Sequence, residues 1–182
     1  MPFRSGPPGD DVVEDQIASA ATECVRRLRE AAVTLATAES LTGGLVGGAI
    51  TAVPGASAVY RGGVVAYATD LKNELLGVDA GLLARAGAVD PEVARSMATG
   101  ARTRLRADVG LATTGVAGPS PQDGKSPGTV WVGVATRSTS WAVDVSCAPV
   151  GDRTSVRQSA VLAALHELNL LLAALGQPQR RG

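Results

Sequence analysis

Segments with helical and strand-like spacing of apolar residues alternate along this chain of 182 residues. Residues 12–31 carry apolar side chains at helical intervals, and residues 33–38 then form a short apolar run that predicts a buried strand. Residues 109–115 predict a second buried strand, and Asp152 caps a final helix that reaches about Leu175. This alternation predicts an α/β fold with helices on both faces of one sheet.

Residues 129–136 and 141–147 predict two consecutive strands with no helix between them. Such strands form an antiparallel pair, so we expect a mixed sheet. Asp90-Pro91-Glu92 predicts a helix start, running to about residue 106, because it combines an N-cap, a first-position proline and an acidic first turn. The shorter predicted elements are a helix over residues 44–53, a strand over 64–67, a helix from Thr69 or Asp70 to Leu76 and a helix near 80–85.

The composition is that of one globular domain. Hydrophobic residues make up 45% of the chain, which is enough for a core at this length, and aromatic residues only 3%. The core must therefore consist mainly of Ala, Val and Leu, which suits close packing of helices on a sheet. We expect a single domain over residues 12–176, with disordered tails at 1–11 and 177–182.

The charge pattern argues against several partners. The chain has 17 basic and 17 acidic residues, whereas a nucleic-acid-binding protein usually has a basic excess, so we expect no nucleic-acid partner. The cluster of Arg26, Arg27 and Arg29 is typical of a solvated helix face.

With no apolar run of membrane length and no signal peptide, we expect no membrane partner and a cytoplasmic location. Cys24 and Cys147 are predicted to be small buried residues, as in a reducing cytosol.

Ser40 lies at the predicted junction of a strand and a helix, where two roles are open. Serine is a preferred helix N-cap, so Ser40 could simply cap the helix. The same position can also expose a nucleophilic hydroxyl at the sheet edge, with the backbone N–H groups of residues 41–44 stabilising an anion. Gly43 and Gly44 would let a substrate approach the backbone closely.

A serine nucleophile needs a base. The only histidine, His166, lies within the last predicted helix beside Leu165 and is best explained by packing or surface exposure. Lys72 and Lys125 are the only lysines. Lys72 is a candidate base if burial lowers its pKa; otherwise it is an exposed helix lysine.

Arg153 and Arg157 lie one helical turn apart at the start of the final helix and share a face. They could bind a phosphate or form surface ion pairs. No group of His, Cys and Asp residues in the sequence has the spacing of metal ligands, and the glycine-rich residues 115–119 lack the lysine of a P-loop. We therefore expect neither a metal nor a cofactor.

Seven short blocks follow one another in a fixed order. They are residues 37–44 (TAESLTGG), 54–57 (PGAS), Tyr67 with Lys72 five residues on, 87–89 (GAV), 114–119 (TGVAGP), 127–130 (PGTV) and 151–153 (GDR). Together they resemble the CinA C-terminal domain family over about residues 12–175. Members of that family include nicotinamide-nucleotide amidases, also called NMN deamidases, which act in pyridine nucleotide recycling.

The resemblance implies a three-layer α/β/α sandwich with a mixed central sheet. It also implies a metal-independent Ser-Lys amidase that converts nicotinamide mononucleotide (NMN) to nicotinic acid mononucleotide and ammonia. Ser40 would be the nucleophile, Lys72 the general base and Tyr67 a group that positions or relays the proton, with the oxyanion held by N–H groups near Gly43 and Gly44. The substrate contacts that the resemblance implies are Glu39, Thr42, Gly43, Gly44, Gly55, Ser57, Thr114, Gly115, Gly118 and Arg153, the last for the phosphate.

Two positions depart from the family pattern, and other functions stay open. Leu41 stands where a cysteine or another residue is common, and Pro121 replaces a small or polar residue. A non-catalytic nucleotide- or protein-binding module is the main alternative, and a hydrolase of another small amide is a third. We expect the stand-alone form of the family, without an N-terminal domain that resembles molybdopterin-binding proteins, and a homodimer is possible.

Overall fold

The computed structural model describes residues 10–146 and 152–175. Over these residues the chain forms one five-stranded sheet with helices on both sides. The elements in chain order are α1 Asp10–Glu30, β1 Leu35–Glu39, α2 Leu45–Thr51, a 3-10 helix Ala56–Ala58, β2 Tyr60–Val65, α3 Thr69–Leu76, α4 Ala80–Ala86, α5 Pro91–Arg104, β3 Val109–Gly115, β4 Val130–Ala135, β5 Ser140–Asp144 and α6 Arg153–Leu175.

The strand order is β2-β1-β3-β4-β5. Strand β1 is parallel to both β2 and β3, whereas β4 is antiparallel to β3 and β5 to β4, so the predicted mixed sheet is confirmed. Because β1, β2 and β3 are parallel, their carboxyl ends meet at one edge of the sheet. The residues that follow Glu39, Val65 and Gly115 are thereby brought together.

Alternate side chains of the strands enter two separate cores, which confirms the three layers. Leu35 of β1 packs with α1, α2 and α6 on one face, and Ala36 packs with α3, α4 and α5 on the other. Helix α6 is long and apolar enough to cross a bilayer by length and composition alone. In this fold part of its apolar surface, including Val161, Leu165 and Leu168, packs into the first core.

Small residues let α5 lie very close to the sheet. A Cβ atom at Gly110 or Gly133 would lie 2.0 Å from a backbone carbonyl oxygen of α5, that of Ala98 or Ala94 respectively. No side chain fits in these two places. The near absence of aromatic residues from the sequence thus reflects a short distance between layers.

Several predicted boundaries are wrong. Helix α1 begins at Asp10, two residues before its predicted start; the predicted tails at residues 1–9 and 177–182 lie outside the described residues. The strand predicted over residues 64–67 is instead β2, because Gly62 and Gly63 hide its beginning and the chain leaves the sheet after Val65. Strand β5 ends at Asp144, and Cys147 lies outside the described residues.

The close contact of α5 with the sheet gives a stability prediction. We expect Gly133→Ala to lower the free energy of unfolding by about 3 kcal/mol, because the added methyl group meets backbone that cannot move aside. Gly48→Ala is the matched control, since a Cβ there, on helix α2, meets nothing within 4 Å. It should stabilise the protein by about 0.5 kcal/mol. Urea unfolding measures both, and equal stabilities would contradict this account of the packing.

Candidate active site

Ser40 directly follows β1 and lines a cavity of about 280 Å³ at the carboxyl edge of the parallel strands. The walls come from five segments: the turn after β1, the start of α3, the residues before α5, the end of β3 with the loop that follows it, and the first residue of α6. Of the residues that the sequence singled out, Ser40, Tyr67, Thr114, Gly115, Gly118 and Arg153 line this cavity. The sheet topology therefore brings residues from distant blocks of the sequence to one place.

Lys72 lies behind Ser40 and is buried, with 1% of its surface exposed. Its Nζ atom is 3.1 Å from Ser40 Oγ, 2.8 Å from the carbonyl oxygen of Ala66 and 3.4 Å from that of Tyr67. A neutral amine has two N–H groups and one lone pair. If the N–H groups donate to the two carbonyls, the lone pair faces the Ser40 hydroxyl and can accept its proton.

The electrostatics of the site favour this neutral form. Burial lowers the pKa of Lys72 from 10.5 to about 8, and the negative charges of Asp123 and Asp70 act in the opposite direction. The expectation of a buried lysine is thus confirmed, and the alternative of an exposed helix lysine is wrong. By contrast, His166 is exposed on α6 and does not line the cavity.

Glu39, not Ser40, caps helix α2. Its side chain is buried, and Gly44 at the N-cap position has no side chain with which to cap. The carboxylate oxygens of Glu39 accept hydrogen bonds from Thr42 Oγ1 at 2.7 Å and from the N–H groups of Gly44 at 2.9 Å, Val46 at 3.0 Å and Gly47 at 2.8 Å. The cap interpretation of Ser40 is therefore wrong, and its hydroxyl is available to Lys72.

Four residues of this turn, expected to contact substrate, instead hold the turn together. Both oxygens of Glu39 are occupied, and Thr42 is buried and hydrogen-bonded. The Gly43 N–H donates to the carbonyl of Ser40 at 3.0 Å, and the Gly44 N–H to Glu39. Neither glycine N–H can therefore serve as the predicted oxyanion donor.

The N–H group of Leu41 is a better candidate for that role. Among the residues that the structure describes, neither the Leu41 nor the Thr42 N–H donates a hydrogen bond. Of these two residues, only Leu41 lines the cavity. The N–H that follows a nucleophile directly is well placed to meet the oxygen of the group under attack.

Tyr67 occupies the cavity rim, but not as the sequence suggested. Its backbone carbonyl, not its phenol, accepts the hydrogen bond from Lys72; the residue is 59% exposed, and its phenol accepts a hydrogen bond from Arg153 Nη2 at 2.6 Å. Arg153 Nη1 also donates to the carbonyl of Gly118 at 2.7 Å. The phenol is therefore placed to hold Arg153 rather than to relay a proton to Lys72.

Gly55 and Ser57 lie away from this cavity. They belong to the turn around the 3-10 helix before β2, and they line a different cavity together with Tyr60. Tyr60 pairs with Leu35 at the amino end of β1, whereas Ser40 follows its carboxyl end. Within one chain these two residues cannot contact a substrate held at Ser40, so this part of the prediction is wrong.

Asp123 is a further residue of the site, which the sequence pattern did not single out. The turn at residues 122–125 has positive φ at Asp123 (50°) and Gly124 (73°), as in a type I′ turn, and Asp-Gly is a turn signal that could have revealed it. Its carboxylate accepts a hydrogen bond from the Ala88 N–H at 2.9 Å, while Thr114 Oγ1 donates to the Ala88 carbonyl at 2.7 Å. The cavity wall at residue 88 is thereby fixed from both sides.

An α/β/α domain with a Ser-Lys pair at the carboxyl edge of its sheet is the class of protein that this geometry defines. Residues 17–172 match the family model described as CinA C-terminal domain. The chain belongs to this family, as the resemblance of its motifs indicated.

Individual relatives agree with this assignment. A CinA-like protein of Frankia casuarinae is 51% identical over 148 residues, which cover 81% of this chain and 34% of that protein. The chain spans about a third of the length of the curated relatives it matches. A CinA superfamily protein from Klebsiella pneumoniae has a solved structure with a TM-score of 0.83 at 33% identity, covering 87% of this chain and 98% of that one. The competence/damage inducible protein CihA of Agrobacterium tumefaciens gives a TM-score of 0.81 at 33% identity, covering 97% and 100%.

The presence of only two lysines makes the pKa of Lys72 directly measurable. In protein labelled with ε-¹³C lysine, we expect one signal to titrate with a midpoint of about 8. The Lys125→Arg variant assigns that signal, because Lys72 is then the only lysine. Asp123→Asn should lower the midpoint, since the lost negative charge favours the ammonium form. A Lys72 midpoint above 10 would contradict the geometry of the site.

Proposed function

We propose that this chain is a metal-independent amidohydrolase that deamidates NMN to nicotinic acid mononucleotide and ammonia. The observation that carries the proposal is the 3.1 Å contact between Ser40 Oγ and the buried Nζ of Lys72. A serine hydroxyl becomes an effective nucleophile when an adjacent base removes its proton. The two backbone carbonyls beside Lys72 fix the direction in which its lone pair points.

In the first half of the reaction, neutral Lys72 accepts the proton of Ser40 while Ser40 Oγ attacks the carboxamide carbon of the pyridine ring. The carbonyl oxygen becomes an oxyanion, for which the Leu41 N–H is the available donor. The lysine ammonium then gives its proton to the amide nitrogen. The carbon–nitrogen bond breaks, ammonia leaves and the nicotinoyl group stays esterified to Ser40.

In the second half, water takes the place of ammonia. Lys72, again neutral, accepts a proton from the water as its oxygen attacks the ester carbon. The proton then returns to Ser40 Oγ as the ester bond breaks, which releases the carboxylic acid. The same lysine thus acts as base and acid in turn, as a group with a pKa near the working pH can do.

The cavity suits a flat apolar ring with an anion at some distance from it. Leu41, Ala88 and Val116 line the cavity together with Ser40 and offer apolar contacts for a ring, whereas Arg153 lies exposed at the rim. Arg153 uses two of its five N–H donors on Tyr67 and Gly118, which leaves the others for a phosphate. This arrangement supports a pyridine mononucleotide as the substrate.

The buried lysine argues against a non-catalytic binding module. Lowering its pKa from 10.5 to about 8 means that burial of the ammonium form costs roughly 3 kcal/mol. A module that only binds a nucleotide or a protein does not need a lysine with a lowered pKa. A base that must be neutral near physiological pH does need one.

The proposal predicts that the purified protein releases ammonia from NMN. Ser40→Ala and Lys72→Met should each lose on the order of a thousandfold or more in kcat, because neither the nucleophile nor its base can be replaced by water. Ser57→Ala and Lys125→Met are matched controls at other positions and should keep full activity. Full activity in Ser40→Ala would disprove the mechanism, and no ammonia from NMN with the unaltered chain would disprove the substrate.

The same mechanism predicts the pH dependence. Because the base must be neutral, kcat/KM should rise about tenfold per pH unit up to about 8 and then level off. In Asp123→Asn this rise should move to lower pH, in the same direction as the pKa of Lys72. A profile that stays flat into acidic pH would exclude Lys72 as the base.

The role of Arg153 predicts how the enzyme distinguishes substrates. Arg153→Gln should raise the KM for NMN by about tenfold or more, because a charge-assisted contact with the phosphate is lost. Nicotinamide riboside, which lacks the phosphate, should react equally with both proteins. An equal loss with the two substrates would show that Arg153 only supports the cavity rim.

A further inference from the structure

Arg157 holds the turn that follows Ser40. It lies one helical turn after Arg153 on α6, but its guanidinium points to a different place: Nε donates to the carbonyl of Leu41 at 3.0 Å and Nη2 to that of Thr42 at 3.1 Å. The alternatives of phosphate binding and surface ion pairing therefore do not describe its contacts. Two successive peptide groups after Ser40 are instead bound by a half-buried cation.

These contacts continue as a chain of hydrogen bonds into the cavity. The Thr42 carbonyl and the Gly43 N–H belong to one peptide group, and in a trans peptide the two point in opposite directions. The Gly43 N–H donates to the Ser40 carbonyl at 3.0 Å, and that carbonyl shares a peptide group with the Leu41 N–H. The chain thus runs from Arg157 through two peptide groups to the Leu41 N–H.

Hydrogen bonds in such a chain strengthen one another, because each donor that binds a carbonyl polarises the N–H of the same peptide group. A cation at the start of the chain makes the effect larger, particularly away from bulk water. We propose that Arg157 is a positioning residue, which orients and polarises the Leu41 N–H to stabilise the oxyanion. This inference rests on the proposed acyl transfer at Ser40.

The turn has other supports, which separates this role from a merely structural one. The Glu39 carboxylate accepts four hydrogen bonds from residues of the turn and of α2, and Thr42 Oγ1 contacts Thr113 Oγ1 at 2.7 Å. None of these contacts involves the carbonyls that Arg157 binds, and the Thr42 carbonyl also accepts a hydrogen bond from the Leu45 N–H at 3.3 Å, which does not depend on Arg157. Loss of Arg157 should therefore affect the reaction rate more than the stability of the fold.

Steady-state kinetics with NMN test the inference through the split between kcat and KM. We expect Arg157→Met to lower kcat on the order of tenfold, less than the hundredfold or more that follows outright loss of an oxyanion donor, with KM changed by less than about threefold. Arg157→Lys, which keeps the charge, should have a kcat between those of the unaltered protein and Arg157→Met. Arg153→Gln is the matched control and should show the opposite pattern, with KM raised and kcat little changed. Guanidinium ion at tens of millimolar should partly restore kcat to Arg157→Ala and not to Ser40→Ala.

A second readout does not depend on the substrate. A fluorophosphonate probe forms a phosphorus–oxygen bond with Ser40 Oγ and releases fluoride, while Lys72 takes the serine proton and negative charge grows on the phosphoryl oxygen. Its labelling rate, followed by intact mass, should fall on the order of tenfold in Arg157→Met, with an unchanged circular dichroism spectrum.

The two readouts separate the failure of this inference from that of the proposed function. A chain that is labelled at Ser40 but leaves NMN intact would disprove the substrate, and the labelling rates would still decide the role of Arg157. Labelling and kcat at unaltered rates in Arg157→Met would overturn the inference, as would losses confined to thermal stability or KM. A chain that neither labels nor turns over NMN would overturn both.

Discussion

The buried carboxylate of Glu39 is the interaction on which the site depends. The carboxylate accepts hydrogen bonds from the first N–H groups of α2 and so caps this helix. Ser40 is therefore not needed as the cap. The carboxylate also accepts a hydrogen bond from the Thr42 hydroxyl and so fixes the turn between β1 and α2. The Ser40 hydroxyl is not used in capping. It can face the cavity and Lys72 because Glu39, the residue before it, caps the helix.

The site then joins groups from separate parts of the fold. The nucleophile comes from the end of β1, the base from α3, and the arginines from α6. Because β1, β2 and β3 are parallel, the segments that follow their carboxyl ends meet at one edge of the sheet. In the proposed reaction, proton transfer between the Ser40 and Lys72 side chains generates the serine nucleophile without a metal.

The fold and the pair at its centre could be predicted from the sequence, and the remaining contacts could not. Periodicity fixed the layers and the mixed sheet, and motif order singled out Ser40 and Lys72. The start of β2 was hidden by Gly62-Gly63, because glycines weaken a strand pattern. The family resemblance implied substrate contacts at Gly55 and Ser57, but these residues lie near the amino end of β1, and spacing along the chain does not tell which end of a sheet a turn reaches. The directions of Arg157 and of the Tyr67 phenol depend on tertiary packing alone.

The contact of α5 with Gly110 and Gly133 has a consequence for the chemistry. Lys72 belongs to a helix on one face of the sheet, and Arg153 and Arg157 belong to a helix on the other face. Where backbone lies directly against backbone, almost no compressible side-chain volume remains between the layers. The separation across the sheet between the proposed base and the two arginines is thereby set by backbone packing.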